Sequence, residues 1–140
     1  GQEAVAALLM GAKRGINVRI GTPHIPDKKF VHIITRAYYP ILIEAGVKIY
    51  EYTPGFIHSK TFLADDTTGV IGTINLDYRS LYHHFECGTF IYKAECLKDL
   101  KKDYIETLKI CTPITYDFCT NVSLPTRLAR AILRIFAPLM

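Results

Sequence analysis

No run in these 140 residues is long and apolar enough to cross a bilayer. The N-terminal apolar stretch, Ala4 to Ala12, falls far short of the roughly 20 residues a spanning helix needs. No cationic segment precedes it, so it does not read as a secretory signal either. The chain itself is therefore expected not to be an integral membrane protein. Its four cysteines, at positions 87, 96, 111 and 119, form no C-x-x-C pair and stand at no zinc-ligand spacing with a histidine. Reduced, mostly buried thiols are the expectation, in keeping with a cytosol-facing domain. Low-complexity tracts, internal repeats and flexible linkers are absent as well, which argues for a single domain. A chain of this length buries roughly two thirds of its unfolded surface, enough for one core. Nor is there a strong excess of one charge. Seventeen Lys and Arg are spread among thirteen Asp and Glu, giving a net +4. Without a concentrated basic track, nucleic acid is not demanded, and an anionic lipid surface is equally compatible.

What is present is an ordinary globular composition, 49% hydrophobic, with alternating helical and extended patterns. A helix is expected from about Gln2 to Lys13, broken by Gly15, then a strand over Ile16 to Ile20 and a loop over Thr22 to Pro26. Asp27 can cap a helix running from about Lys28 to Ala45 and ended by Gly46, with Pro40 kinking it. Val47 to Tyr52 reads as a strand, Lys60 to Ala64 as the first arm of a hairpin that returns through Gly69 to Gly72, and Phe85 to Tyr92 as another strand. Ala94 to Ile110 is an amphipathic helix. Helices alternating with strands predict an α/β sandwich built on a mixed sheet.

The chemistry concentrates around that hairpin. His58 and Lys60 stand two apart, followed by Asp65 in the pattern H-x-K-x-x-x-x-D, and the return arm closes with Gly72-Thr73-Ile74-Asn75. Side chains two apart on a strand face the same way, so an imidazole and a fixed cation share one side, with room for a phosphate between them. Thr73 and Asn75 add a hydroxyl and an amide at the same sheet end, able to donate to phosphate oxygens. A His and a Lys at this spacing also occur by chance as ordinary surface residues. The accompanying Leu76-Asp77-Tyr78-Arg79-Ser80 and an acidic Glu86 between Phe85 and Cys87 make the combination more specific than the pair alone. A carboxylate in that position needs a partner cation or histidine if buried. Arg79 and Asp77 are expected to pair with each other beneath the Gly72 loop. Tyr50 and Tyr52 read as packing residues, and His24 as a loop histidine that could line the pocket mouth but more often is simply solvated.

These residues resemble the second catalytic motif of the phospholipase D superfamily. The flanking text, Gly46-Val-Lys-Ile-Tyr50-Glu-Tyr-Thr-Pro-Gly55-Phe-Ile-His58-Ser-Lys60 and Gly72 through Glu86, resembles the bacterial cardiolipin synthases over nearly the whole chain. The resemblance implies an α/β lobe with a mixed sheet flanked by helices on both faces. It implies His58 as nucleophile or general acid, Lys60 and Asn75 as phosphate ligands, and Glu86 as a carboxylate orienting a catalytic histidine. Asp65, Gly72, Thr73, Asp77 and Arg79 are implied to be structural at the site. The reaction implied is transfer of a phosphatidyl group from one phosphatidylglycerol to another, giving cardiolipin and glycerol through a phosphohistidine. No metal or other cofactor is implied, because paired lysines and asparagines stabilise the charge. The implied location is the cytoplasmic face of the bacterial cell membrane.

The family pattern has two such motifs, one per lobe, behind N-terminal membrane helices. Here His24, His32, His83 and His84 have no lysine two residues later, so only one motif is present. The expectation is a lobe incomplete at its N-terminus, which needs a companion lobe with the first H-x-K, or a homodimer partner, to complete the site. Residues 1–122 read as that lobe. Residues 123–140 read as a basic amphipathic helix, with Arg127, Arg130 and Arg134 on one face, docked on the domain or lying on anionic lipid. Rival readings are a hydrolytic phosphodiesterase or nuclease of the same superfamily and a catalytically silent fragment.

Overall fold

The computed structural model describes residues 2–123. The C-terminal helix expected from the sequence thus lies outside the described residues. The first helix, α1 (Gln2–Lys13), is rich in Ala and Leu and ends where Gly15 takes a positive φ of 88°. There the Ile16 N–H donates back to the Gly11 carbonyl at 3.1 Å, a closure that requires a left-handed residue and hence favours glycine. Strand β1 (Arg19–Pro23) follows, then α2 (Lys29–Glu44). The second helix ends as the first does, with Gly46 at φ 97° and the Val47 N–H bonded to the Leu42 carbonyl at 3.0 Å. It feeds β2 (Lys48–Tyr52), which pairs in parallel with β1 from Arg19↔Lys48 to Pro23↔Tyr52.

Next come β3 (Lys60–Ala64), β4 (Thr68–Gly72), the short α3 (Tyr78–Tyr82), β5 (Gly88–Tyr92), α4 (Cys96–Lys109), β6 (Cys111–Ile114) and α5 (Tyr116–Thr120). The α/β class and the mixed sheet are as the sequence reading has them, but the strands are divided. One three-stranded sheet runs β1-β2-β6 and mixes parallel and antiparallel pairs; the other runs β3-β4-β5 and is antiparallel.

The main core fills one face of the mixed sheet. Ile49, Val47 and Ile114 pack there with Tyr39 and Leu42 of α2 and with Cys119 of α5, while Leu8, Leu9 and Val5 of α1 close over them. Helix α4 covers the other face, where the Tyr104 hydroxyl donates to the Arg19 carbonyl at 3.1 Å and Leu97 is fully buried. The same helix braces the hairpin, because a Cβ at Gly69 would fall 2.7 Å from Leu97 Cδ2. Helices thus flank the mixed sheet on both faces.

Several boundaries move. Strand β1 extends through Thr22 and Pro23, which the sequence reading places in a loop, and starts at Arg19 rather than Ile16. Asp27 does not cap α2; the N-cap is Lys28, with no side-chain bond. The helix runs unbroken across Pro40 from Lys29 to Glu44. Strand β5 begins at Gly88, so Glu86 sits in the loop before it. The cysteines are free thiols, but only Cys119 is buried; Cys87 and Cys96 are exposed.

Candidate functional site

Register alone brings the motif together. In the antiparallel sheet Lys60 pairs with Gly72 and Gly72 with Gly88, so the start of β3, the end of β4 and the start of β5 lie side by side. His58 therefore enters at the same sheet end from which Thr73 and Asn75 leave and at which Glu86 arrives. The turn at the opposite end is set by Asp65 and Asp66, both at positive φ (50° and 57°), the paired left-handed conformation that matches hairpin twist. Asp65 is exposed at this tip; its neighbour Asp66 ties the hairpin to α4 through an ion pair with Lys101.

Each site residue has a traceable anchor. The Lys60 ammonium donates to the His58 carbonyl at 2.8 Å, joining the two residues of the motif. His58 lies just ahead of β3, so strand alternation does not govern it as the sequence reading assumes. Its ring is exposed and stacks on Phe56 instead, centroids 5.8 Å apart and planes 15° from parallel. Partial burial holds Lys60 below the usual lysine range, while the carboxylates of Asp27, Glu86 and Asp77 act in the opposite sense.

Behind the lysine, Glu86 accepts hydrogen bonds from the hydroxyls of Ser80 and Thr73, one on each carboxylate oxygen. These two bonds, Ser80's first, hold its carboxyl below the usual range, with His84 and Lys60 adding to them. The partner foreseen from sequence, a cation or a histidine, is here a pair of hydroxyls. Ser80 is nearly buried and also accepts from the Asn75 backbone N–H at 2.9 Å, so a single hydroxyl links Glu86 to the main chain of Asn75. Thr73 closes the other side: its N–H donates to the Cys87 carbonyl at 2.9 Å and its hydroxyl accepts from the Cys87 N–H at 3.1 Å. Asp77 caps α3 by accepting from the Ser80 N–H at 2.7 Å. Among the described residues no ion pair joins it to Arg79, which is exposed, so the expected Arg79–Asp77 pair is replaced by a helix cap. Gly72 is required by closeness rather than by conformation, since a Cβ there would lie 2.2 Å from the Cys87 carbonyl oxygen.

A second polar cluster, which the sequence reading missed, surrounds Glu51 on β2. Glu51 is 1% exposed. Arg36 of α2 grips it with two bonds, Nε to Oε1 at 2.8 Å and an NH2 nitrogen to Oε2 at 2.6 Å. The Tyr39 hydroxyl donates to Oε1 at 3.2 Å and His24 Nδ1 meets Oε2 at 2.8 Å. Burial alone would raise this carboxyl, but the Arg36 and His24 bonds outweigh it and hold it below the usual range. His24 is therefore half-exposed and engaged, not simply solvated. The available signal was alternation: Glu51 shares an inward face with Ile49, and a buried carboxylate demands paired donors.

Comparison with known proteins identifies the relatives of this chain. The profile of the family described as "Cardiolipin synthase, PLD-like domain" matches residues 1–108. A protein of Streptococcus mutans serotype c without an assigned function is 50% identical over 96% of this chain, which covers 29% of that relative. A cardiolipin synthase of Geobacillus sp. (strain WCH70) is 41% identical over 99% of this chain. One from Clostridium perfringens (strain SM101 / Type A) is 39% identical over 96% of it. The chain spans 28% of the length of each of these two synthases. By the family match across most of its length, this chain belongs to the cardiolipin synthase family of phospholipase D-like domains.

Proposed function

We propose that this domain supplies half of the active site of a phosphatidyltransferase that joins two phosphatidylglycerol molecules into cardiolipin and releases glycerol. The observation that carries this reading is the convergence of His58, Lys60, Thr73, Asn75 and Glu86 on one end of the antiparallel sheet. In this scheme His58 attacks phosphorus or protonates the departing alkoxide, and the transfer runs through a phosphohistidine. Lys60 and the Asn75 amide neutralise charge on the phosphoryl oxygens. Glu86, fixed by Ser80 and Thr73, orients a histidine, while Asp65, Gly72, Asp77 and Arg79 support the frame. The companion is a lobe carrying the other H-x-K, or a second copy of this chain.

A lipid substrate is supported by the exposed apolar residues on the loops and the short helix α3 at this end. Phe56, Leu76, Leu81 and Phe85 are all solvent-exposed beside polar site residues, a combination that suits a bilayer surface better than a nucleic-acid track. No helix of the described residues is long and apolar enough to cross a membrane. In this scheme these residues and segment 123–140 add contact with anionic lipid at the cytoplasmic face. The proposal also keeps the lobe as residues 1–122 and a C-terminal helix as residues 123–140.

The test is product identity. Two-motif enzyme containing this domain, given phosphatidylglycerol vesicles, is expected to yield cardiolipin and glycerol in equal amounts by mass spectrometry. Phosphatidic acid as the main product would instead make it a hydrolase.

A further inference from the structure

Arg36 and Tyr39 together already serve both oxygens of Glu51. Both oxygens thus have donors besides His24. What the His24 bond achieves is to fix the imidazole. A carboxylate oxygen held ionised by Arg36 can only accept, so Nδ1 must carry the hydrogen in the 2.8 Å contact. The Arg36 nitrogen 3.5 Å from Nδ1 consequently bonds Oε2 and not the ring. With the hydrogen of the neutral ring on Nδ1, the lone pair lies on Nε2 at the far edge. The His24 side chain is 49% exposed while Glu51 is buried beneath it, so that lone pair is on the outward side.

The position matters as much as the tautomer. His24 stands at the carboxyl end of the parallel β1–β2 pair, where open α/β sheets gather ligands. Its backbone N–H is pinned to the Tyr52 carbonyl at 3.1 Å, at the start of the loop that leads to His58. Three residues on, the charge of Asp27 acts on Lys60, in keeping with the backbone link that sets His24 beside the strand leading to the motif. An accepting imidazole nitrogen suits a hydroxyl donor, not a second anion.

We propose that His24, held by Glu51, accepts a hydrogen bond from a hydroxyl of the acceptor alcohol and so positions the glycerol headgroup. His24 is then a substrate-contacting residue and Glu51 a positioning residue acting through it. This rests on the phosphatidyl-transfer reading above.

The experiment is histidine 15N NMR on the full 140-residue chain, titrated with glycerophosphoglycerol, the water-soluble headgroup diester, and separately with inorganic phosphate. Free His24 is expected in the Nδ1–H form. The diester should shift its Nε2 resonance, whereas phosphate should perturb His58 without moving His24. His24→Ala should weaken diester binding about 5- to 10-fold, the worth of one hydrogen bond, and leave phosphate affinity unchanged. Glu51→Gln, if circular dichroism shows it folded, should weaken diester binding and randomise the His24 tautomer. An Nε2–H tautomer in the wild type, or equal diester affinity in His24→Ala, would overturn the assignment. A diester that perturbs His58 but not His24 overturns this inference alone. One that perturbs neither overturns the phosphodiester reading and this inference with it.

Discussion

Ser80 carries more of the site than its size suggests. Its hydroxyl accepts from the Asn75 N–H and donates to Glu86, and it is 6% exposed. Ser80→Ala leaves that N–H without its partner, and should cost about 1–3 kcal/mol in urea denaturation. Activity should fall further than stability, because Asn75 loses its main-chain anchor. His58→Ala in a complete two-motif enzyme should reduce cardiolipin formation by roughly 10² to 10⁴, the usual contribution of one acid-base group. At this scale the sequence was readable where spacing encodes position: the register puts the start of β3, which follows His58, beside the end of β4, which leads to Asn75. It was silent on Ser80 and Glu51, whose partners arrive from elsewhere in the chain. The mutual hold of Arg36 and Glu51 joins residues fifteen apart on a helix and a strand, and no local pattern announces such a pair.

At the level of elements, the antiparallel sheet depends on close approach at Gly72. A Cβ there would meet Cys87 O at 2.2 Å and Gly88 Cα at 2.6 Å, both backbone atoms that cannot swing aside. Gly72→Ala should therefore part β4 from β5 and destabilise the domain by about 1–3 kcal/mol or more. Chemical shifts of Thr73 and Glu86 should move with it, since Thr73 follows β4 directly and bonds both Cys87 and Glu86. Long periodic helices were legible, and their glycine stops fell at Gly15 and Gly46 for a local reason, the positive φ of each. Strand β6 and helix α5 were not foreseen. Cys111-Thr-Pro-Ile114 is too short to show a period, and it is extended because it pairs along β2 from Ile49↔Ile114 to Tyr52↔Cys111. Tertiary pairing created that strand.

For the molecule as a whole, the buried polar cluster makes stability depend on pH in two steps. His32 lies near Glu51 with its Nε2 buried and unbonded, and burial first, then the Arg36 charge, lowers its pKa from 6.5. The unfolded chain thus takes up this proton first as pH falls, so the neutral ring's contribution is whole above about 6.5 and is lost below it. Glu51 and Glu86 are both held below 4.5, so their contribution is present above that value and disappears as pH drops through their lower folded values. Thermal melts should be flat from pH 8 to 7, decline below about 6.5, and decline again below about 4.5. His32→Gln should remove the first decline and keep the second.

The same scale holds the central claim, that this domain provides one half of a phosphodiester-transfer site and that His58 is its reactive histidine. The direct measurement is a mass-spectrometric assay of cardiolipin from phosphatidylglycerol vesicles, run with this chain alone, with a companion lobe bearing the other H-x-K, and with His58→Ala in that pair. The account predicts cardiolipin only from the completed pair, and its loss in the variant. Undiminished cardiolipin from the His58→Ala pair, or from a monomer of this chain alone, would contradict it.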